Sequence, residues 1–224
     1  MRGILSQNYW KVFLLMILFV CLPYVLFLLI AVLIAALIEV GLVFSGSDLL
    51  TIIYYFVISC FAYLILPIVS IPLWYGYNWC ILSFSRQQDI SVKAILEPYT
   101  TAKKFWKTIG NVIMVGIFIC LWMLLLIVPG IIKVFSYAMV PYILKDEPNI
   151  GVIKAITKSR KIMDGNKWRL FKLYFSFIGW YLLVILTLGL ALFWVAPYVQ
   201  VATACFYNEI RRQYDEKQTI YQEF

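Results

Sequence analysis

The sequence contains no histidine, an absence that removes the commonest general base and the commonest metal ligand together. Charge is scarce as well. Only 13% of the 224 residues are charged, where a soluble domain carries about 25%. The five cysteines (Cys21, Cys60, Cys80, Cys120 and Cys205) lie far apart in or beside apolar runs, and no CxxC pair occurs. An odd number cannot pair completely, so they read as small apolar side chains rather than a disulfide framework. The Walker A loop, GxGxxG, GxSxG, HExxH and the DxDxDG calcium loop are all missing. No cofactor and no enzymatic activity are expected.

What is present is apolar. Hydrophobic residues make up 64% of the chain, and the mean hydropathy is +0.90. One water-soluble core of ordinary size cannot hide that much apolar surface. Lipid can act as its solvent, provided the backbone satisfies its own hydrogen bonds in helices or a closed barrel. Barrel strands run about 9–11 residues with alternating polarity. The runs here are long and continuous, which selects helices. The expected fold is all-α, a polytopic membrane helical bundle that forms a single integral membrane domain over residues 1–224.

The apolar runs fall at 12–43, 49–82, 109–128, 131–144, 171–193 and 194–207. The first is far longer than the apolar region of a signal peptide and is expected to remain as a helix, bent at Pro23. The runs at 131–144 and 194–207 are short, and each carries a proline, Pro141 or Pro197. Charge resolves whether they cross. If all six runs span, every lysine and arginine except Lys133 falls on one side, as the positive-inside rule asks. The sequence therefore predicts six membrane-crossing helices in three pairs, with amphipathic cytoplasmic segments and both termini cytoplasmic. The net charge of +8 and pI near 9.2 then belong to cytoplasmic loops facing anionic lipid, and no nucleic-acid partner is expected.

A weak internal repeat runs roughly over 49–108 and 109–170. Val92-Lys93-Ala94-Ile95 returns as Ile153-Lys154-Ala155-Ile156, and Lys104-Phe105-Trp106-Lys107 as Asn166-Lys167-Trp168-Arg169.

Three sets of residues are candidates for function. Residues 150–163 read as an amphipathic helix between an Asn149 N-cap and an Asp164-Gly165 stop. Lys154, Lys158 and Lys161 share one side of it, and with Lys167 and Arg169 they are candidate contacts for anionic headgroups. The bland alternative is an ordinary basic loop. Glu39 and Lys133 stand inside apolar runs, where a charge is by default a functional hypothesis, although both lie near enough to an outer end to snorkel. Pro129-Gly130, Pro141 and Pro197 are expected to stop or kink helices, with Thr187-Leu188-Gly189 as a further break. The acidic pair Asp146-Glu147 is read as the opening of the next helix, because Pro148 follows it.

The string Pro129-Gly130-Ile131-Ile132-Lys133, followed by Tyr137-Ala138-Met139-Val140-Pro141-Tyr142-Ile143-Leu144, resembles a bacterial integral membrane protein family of unknown function, number 975 among such domain families. Ser159-Arg160-Lys161-Ile162-Met163, Trp168-Arg169-Leu170-Phe171, Ser176-Phe177-Ile178-Gly179-Trp180 and Leu192-Phe193-Trp194-Val195-Ala196-Pro197-Tyr198 continue the likeness, to about residue 210. The resemblance implies a multi-pass protein of the bacterial plasma membrane and brings no reaction, ligand or catalytic residue. Membrane lipids, a protein partner or a second copy of the chain are the partners to expect. A non-enzymatic accessory, scaffold or lipid-interacting envelope protein is the leading function. A small transporter or channel subunit is the alternative, and a lipid-modifying enzyme working through Asp146, Glu147, Asp164 and Arg169 comes last.

Overall fold

The computed structural model describes residues 49–88 and 92–223, with scattered helical positions, one or two at a time, between residues 10 and 40. Most of the run at 12–43 therefore lies outside the described residues. Every regular element among the described residues is helical.

Helix α1, Leu49–Ser85, spans 37 residues without a charged side chain. At its end Arg86 N–H bonds Ser83 O at 3.1 Å, and Gln87 turns the chain with a φ of 58°. A 3-10 helix, Val92–Tyr99, folds back against α1. Gly76 makes that approach possible, since a Cβ there would sit 1.9 Å from the carbonyl oxygen of Ile95.

Helix α2, Ala102–Leu125, ends where Leu126 adopts an extended conformation with φ −160° and ψ 135°. Helix α3, Ile127–Tyr137, starts at once and runs back along α2. Pro129 and Gly130 were expected to stop a helix; instead they sit in the first turn of α3. That position suits them. A proline N–H is not needed there, and a Cβ on Gly130 would meet the backbone of Met123 at 3.0 Å. Helix α4, Val140–Asp146, follows with Pro141 in its first turn. Asp146 thus closes a helix and Glu147 caps it, where the sequence pattern had them open the next one.

Helix α5, Val152–Ile162, begins after Gly151 rather than Asn149 and ends at Met163. Gly165, at φ 74°, reverses the chain into α6, Lys167–Ser176, which passes with one irregular residue into α7, Ile178–Leu186. Leu188 and Gly189 make the next turn with φ values of 51° and 93°. Helix α8, Leu192–Glu223, then runs 32 residues with Pro197 inside it. The expected short run at 194–207 and the expected polar tail are one helix. Pairs one turn apart sustain its polar half, notably Arg211 with Asp215 and Arg212 with Glu216.

Among the described residues three stretches are long and apolar enough to cross a membrane: Ala102–Leu125, Ile127–Asp146 and Lys167–Leu186. This does not reach the six expected. The run at 12–43 is mostly undescribed, as are the side chains of much of α1, and the apolar part of α8 gives way after Tyr207 to a charged half.

The packed core gathers at one end of the molecule. There the last turns of α1 bring Ile81 and Leu82 against Met139 and Ile143 near α4, Ile156 of α5 and Tyr207 and Ile210 of α8. The other ends of the helical hairpins are apolar and open. Leu124 is 88% exposed and Leu188 96%.

Candidate functional site

Two features stand out: an ionic cluster at the packed end, and a cavity beside it.

The cluster is built on Asp146 and Glu147, which close α4. Arg86, one residue past α1, donates to both carboxylate oxygens of Asp146, at 2.7 and 2.9 Å. This is the bidentate geometry that makes arginine–carboxylate pairs strong. The Tyr207 hydroxyl of α8 donates to Asp146 Oδ2 at 2.8 Å, and its ring stacks on Tyr142 with centroids 5.2 Å apart. Arg211, one turn further along α8, donates to Glu147 at 2.9 Å and to Asp215 at 2.9 Å. Lys158 of α5 pairs with the same Glu147 oxygen. Asn208 completes the join, accepting from Arg86 at 2.9 Å and donating to Ser85 at 2.8 Å. Four helices are thereby tied at one level: α1, α4, α5 and α8.

Just inside the cluster, Lys145 donates to the Trp79 carbonyl and the Ser83 hydroxyl, and Trp79 Nε1 donates to the Pro141 carbonyl at 2.9 Å. Burial by itself pushes the Glu147 carboxyl up. Lys158 and Arg211 more than offset this and hold it below the usual carboxylate range. The hydrogen bond to Asp146 holds the Arg86 guanidinium above its ordinary value, against the opposing effect of burial.

The cavity, 560 Å³ in volume, lies between α1, α2, α3 and the start of α4. Its walls are mostly apolar, with Ile71, Val112, Val115 and Ile119 along two sides and Ser70 as a polar group on the α1 side. Asn111 and Tyr75 form its polar end. Asn111 is fully buried, and its amide nitrogen donates to the Tyr75 hydroxyl, while its Oδ1 has no hydrogen-bond partner among the described residues.

The residues singled out in the sequence separate into groups. Most of the apolar side of α5 does not face outward: Ala155, Ile156 and Ile162 are buried in the protein core, whereas Ile153 is exposed. Lys158 is half-buried against Glu147, whereas Lys154 and Lys161 are exposed. Lys167 is half-buried, and Arg169 binds Glu209 at 2.6 Å on α8, which draws it away from a simple lipid-facing role. Lys133 is half-buried, with its ammonium 4.4 Å from the centre of the Trp122 ring. Glu39 lies outside the described residues. Gly130, Pro141 and Pro197 are buried and Pro129 half-buried, each inside a helix. Asp164 is exposed and stands apart from the cluster. Among the described residues no group of three or more His, Cys, Asp or Glu is arranged to hold a metal ion. Sequence reasoning missed Arg86, Tyr207, Arg211 and Asn111. Their partners lie tens of positions away, so the only local signal was the acidic pair itself.

Described residues that are helical in every regular element, with three helices able to cross a membrane, are compatible with a membrane protein, and that is the class these features define. Residues 112–214 match the family model described as Protein of unknown function (DUF975), and the strings from Pro129 to about residue 210 fall inside that match. No curated protein and no solved structure matches the chain significantly.

Proposed function

We propose that the chain is a multi-pass integral protein of the bacterial plasma membrane, with both termini cytoplasmic, that interacts with lipid and catalyses no reaction. The observation that carries this reading is the contrast between its two ends. Leu124, Leu125, Ile127 and Val128 at one hairpin tip, and Ile185, Leu186, Leu188 and Leu190 at another, are all more than 60% exposed. In water such surface costs about 25 cal/mol per Å²; in an acyl core it costs nothing. The opposite end carries the ionic cluster, with exposed Trp106 and Trp168 near the starts of α2 and α6, where amphipathic rings suit the headgroup level. Lys154 and Lys161 remain open to anionic headgroups.

On this reading the six crossings are completed by the run at 12–43, by α1 and by the first half of α8, with lipids, a protein partner or a second copy as neighbours. Fractionation tests the reading. The protein should stay with membranes through alkaline carbonate and leave only with detergent. Release by carbonate alone would overturn it. A small transporter or channel subunit is the second reading. It is favoured by the break at Phe177 inside the apolar stretch Lys167–Leu186, since interrupted helices expose backbone groups to a substrate.

A further inference from the structure

The cavity between α1, α2 and α3 has a direction. Its polar end, Asn111 with Tyr75, lies one helical turn from Lys107. Its apolar wall continues along α2 through Val112, Val115 and Ile119, and the rise from Asn111 to Ile119 is about 12 Å. At 560 Å³ it falls within the usual range for small-molecule sites, about 300–1,000 Å³. A mostly apolar slot with a buried polar end has the outline of an amphiphile.

The buried amide sharpens the ligand's chemistry. A buried polar atom without a hydrogen bond carries a desolvation cost, and such atoms are rare in folded proteins. Asn111 Oδ1 is one. Neither Asn111 nor Tyr75 is ionised at neutral pH, so the pair calls for a neutral donor rather than a charged headgroup. A hydroxyl meets that demand and also serves if the amide is turned over, because it both donates and accepts. We propose that this cavity binds a long-chain amphiphile with a neutral hydroxyl head, its hydroxyl on Asn111–Tyr75 and its chain along Val112, Val115 and Ile119. The proposal rests on the lipid-interacting reading above and adds the ligand class and the residues.

Gly116 supplies the test. It lines the cavity, and a Cβ there meets nothing within 4 Å, so Gly116→Leu grows into open space. Full-length protein in mild detergent is titrated with a long-chain fatty alcohol and with the alkane of equal length, and occupancy is read by native mass spectrometry. Wild type should bind the alcohol saturably and about fivefold more tightly than the alkane, the preference that one net hydrogen bond supplies. Gly116→Leu should lose both ligands while melting no lower than wild type. Asn111→Leu should bind the two alike. Equal binding by wild type and Gly116→Leu overturns the site. So does the absence of saturable binding by wild type. In either case a protein that still resists carbonate extraction leaves the membrane reading standing.

Discussion

Arg86 and Asp146 meet through both terminal guanidinium nitrogens, at 2.7 and 2.9 Å, although they are sixty positions apart in the chain. The bond ties the end of α1 to the end of α4, where Tyr207 of α8 closes on Asp146 and Arg211 on the neighbouring Glu147. Side-chain exposure of 32% for Arg86 and 14% for Asp146 places the pair between a surface bridge and a buried one. Removing one partner strands the other charge. Asp146→Ala should therefore cost about 2 kcal/mol, discounted for that partial exposure. Arg86→Ala added to it should cost less than the two single effects summed. Thermal unfolding of the four proteins of this cycle in one detergent checks the coupling; additive losses would show that the contact contributes nothing.

Acid should loosen the same cluster. The folded-state pKa of Glu147 is depressed below its ordinary 4.5, so the unfolded chain takes up the proton first as pH falls. The stability that Glu147 contributes is complete above 4.5, declines below that value, and is gone once pH passes the depressed folded pKa. Glu147→Gln should flatten that part of a melting-temperature profile against pH. An unaltered slope below 4.5 would place the acid sensitivity elsewhere.

Gly76→Ala should be far more damaging than Gly116→Ala. The first puts a Cβ 1.9 Å from the Ile95 carbonyl oxygen, a backbone atom that cannot swing aside, and the second meets open space. The 3-10 helix should detach from α1 in the first variant. Proteolysis between α1 and α2 detects this as cleavage absent from wild type and from Gly116→Ala.

Trp79→Phe isolates one buried hydrogen bond. It removes the Nε1 donor that reaches the Pro141 carbonyl at 2.9 Å while keeping an aromatic ring in the core. The expected loss is about 1 kcal/mol from the hydrogen bond, with a further part from the smaller ring. A melting temperature equal to wild type would mean that water replaces the bond.

Composition made the helical class legible, because no other fold satisfies a backbone inside runs so long and so apolar. The Thr187-Leu188-Gly189 reversal was legible too, since a glycine at positive φ is what such a turn requires. Pro129 misled, because proline breaks a helix interior yet suits a first turn, and only the fold shows which position it holds. The charged half of α8 read as a loose tail because its pattern is polar nearly all round; its support comes from pairs one turn apart and from Arg211 gripping α4. The lysines of α5 were legible as a stripe. That much of its apolar side is buried in one core with Met139 and Ile143 rather than in lipid depended on distant partners.

The central claim is that the ionic cluster and the apolar hairpin tips lie at opposite ends of a membrane-embedded bundle. Single cysteines at Lys104, Arg212, Leu125 and Leu188, in a chain whose native cysteines are replaced, test it most directly with a membrane-impermeant maleimide on intact cells and on inverted vesicles. The account predicts that the positions at 104 and 212 label only in inverted vesicles, and that those at 125 and 188 do not label from that side. Labelling of 104 on intact cells, or of 188 together with 212 from one side, would contradict it.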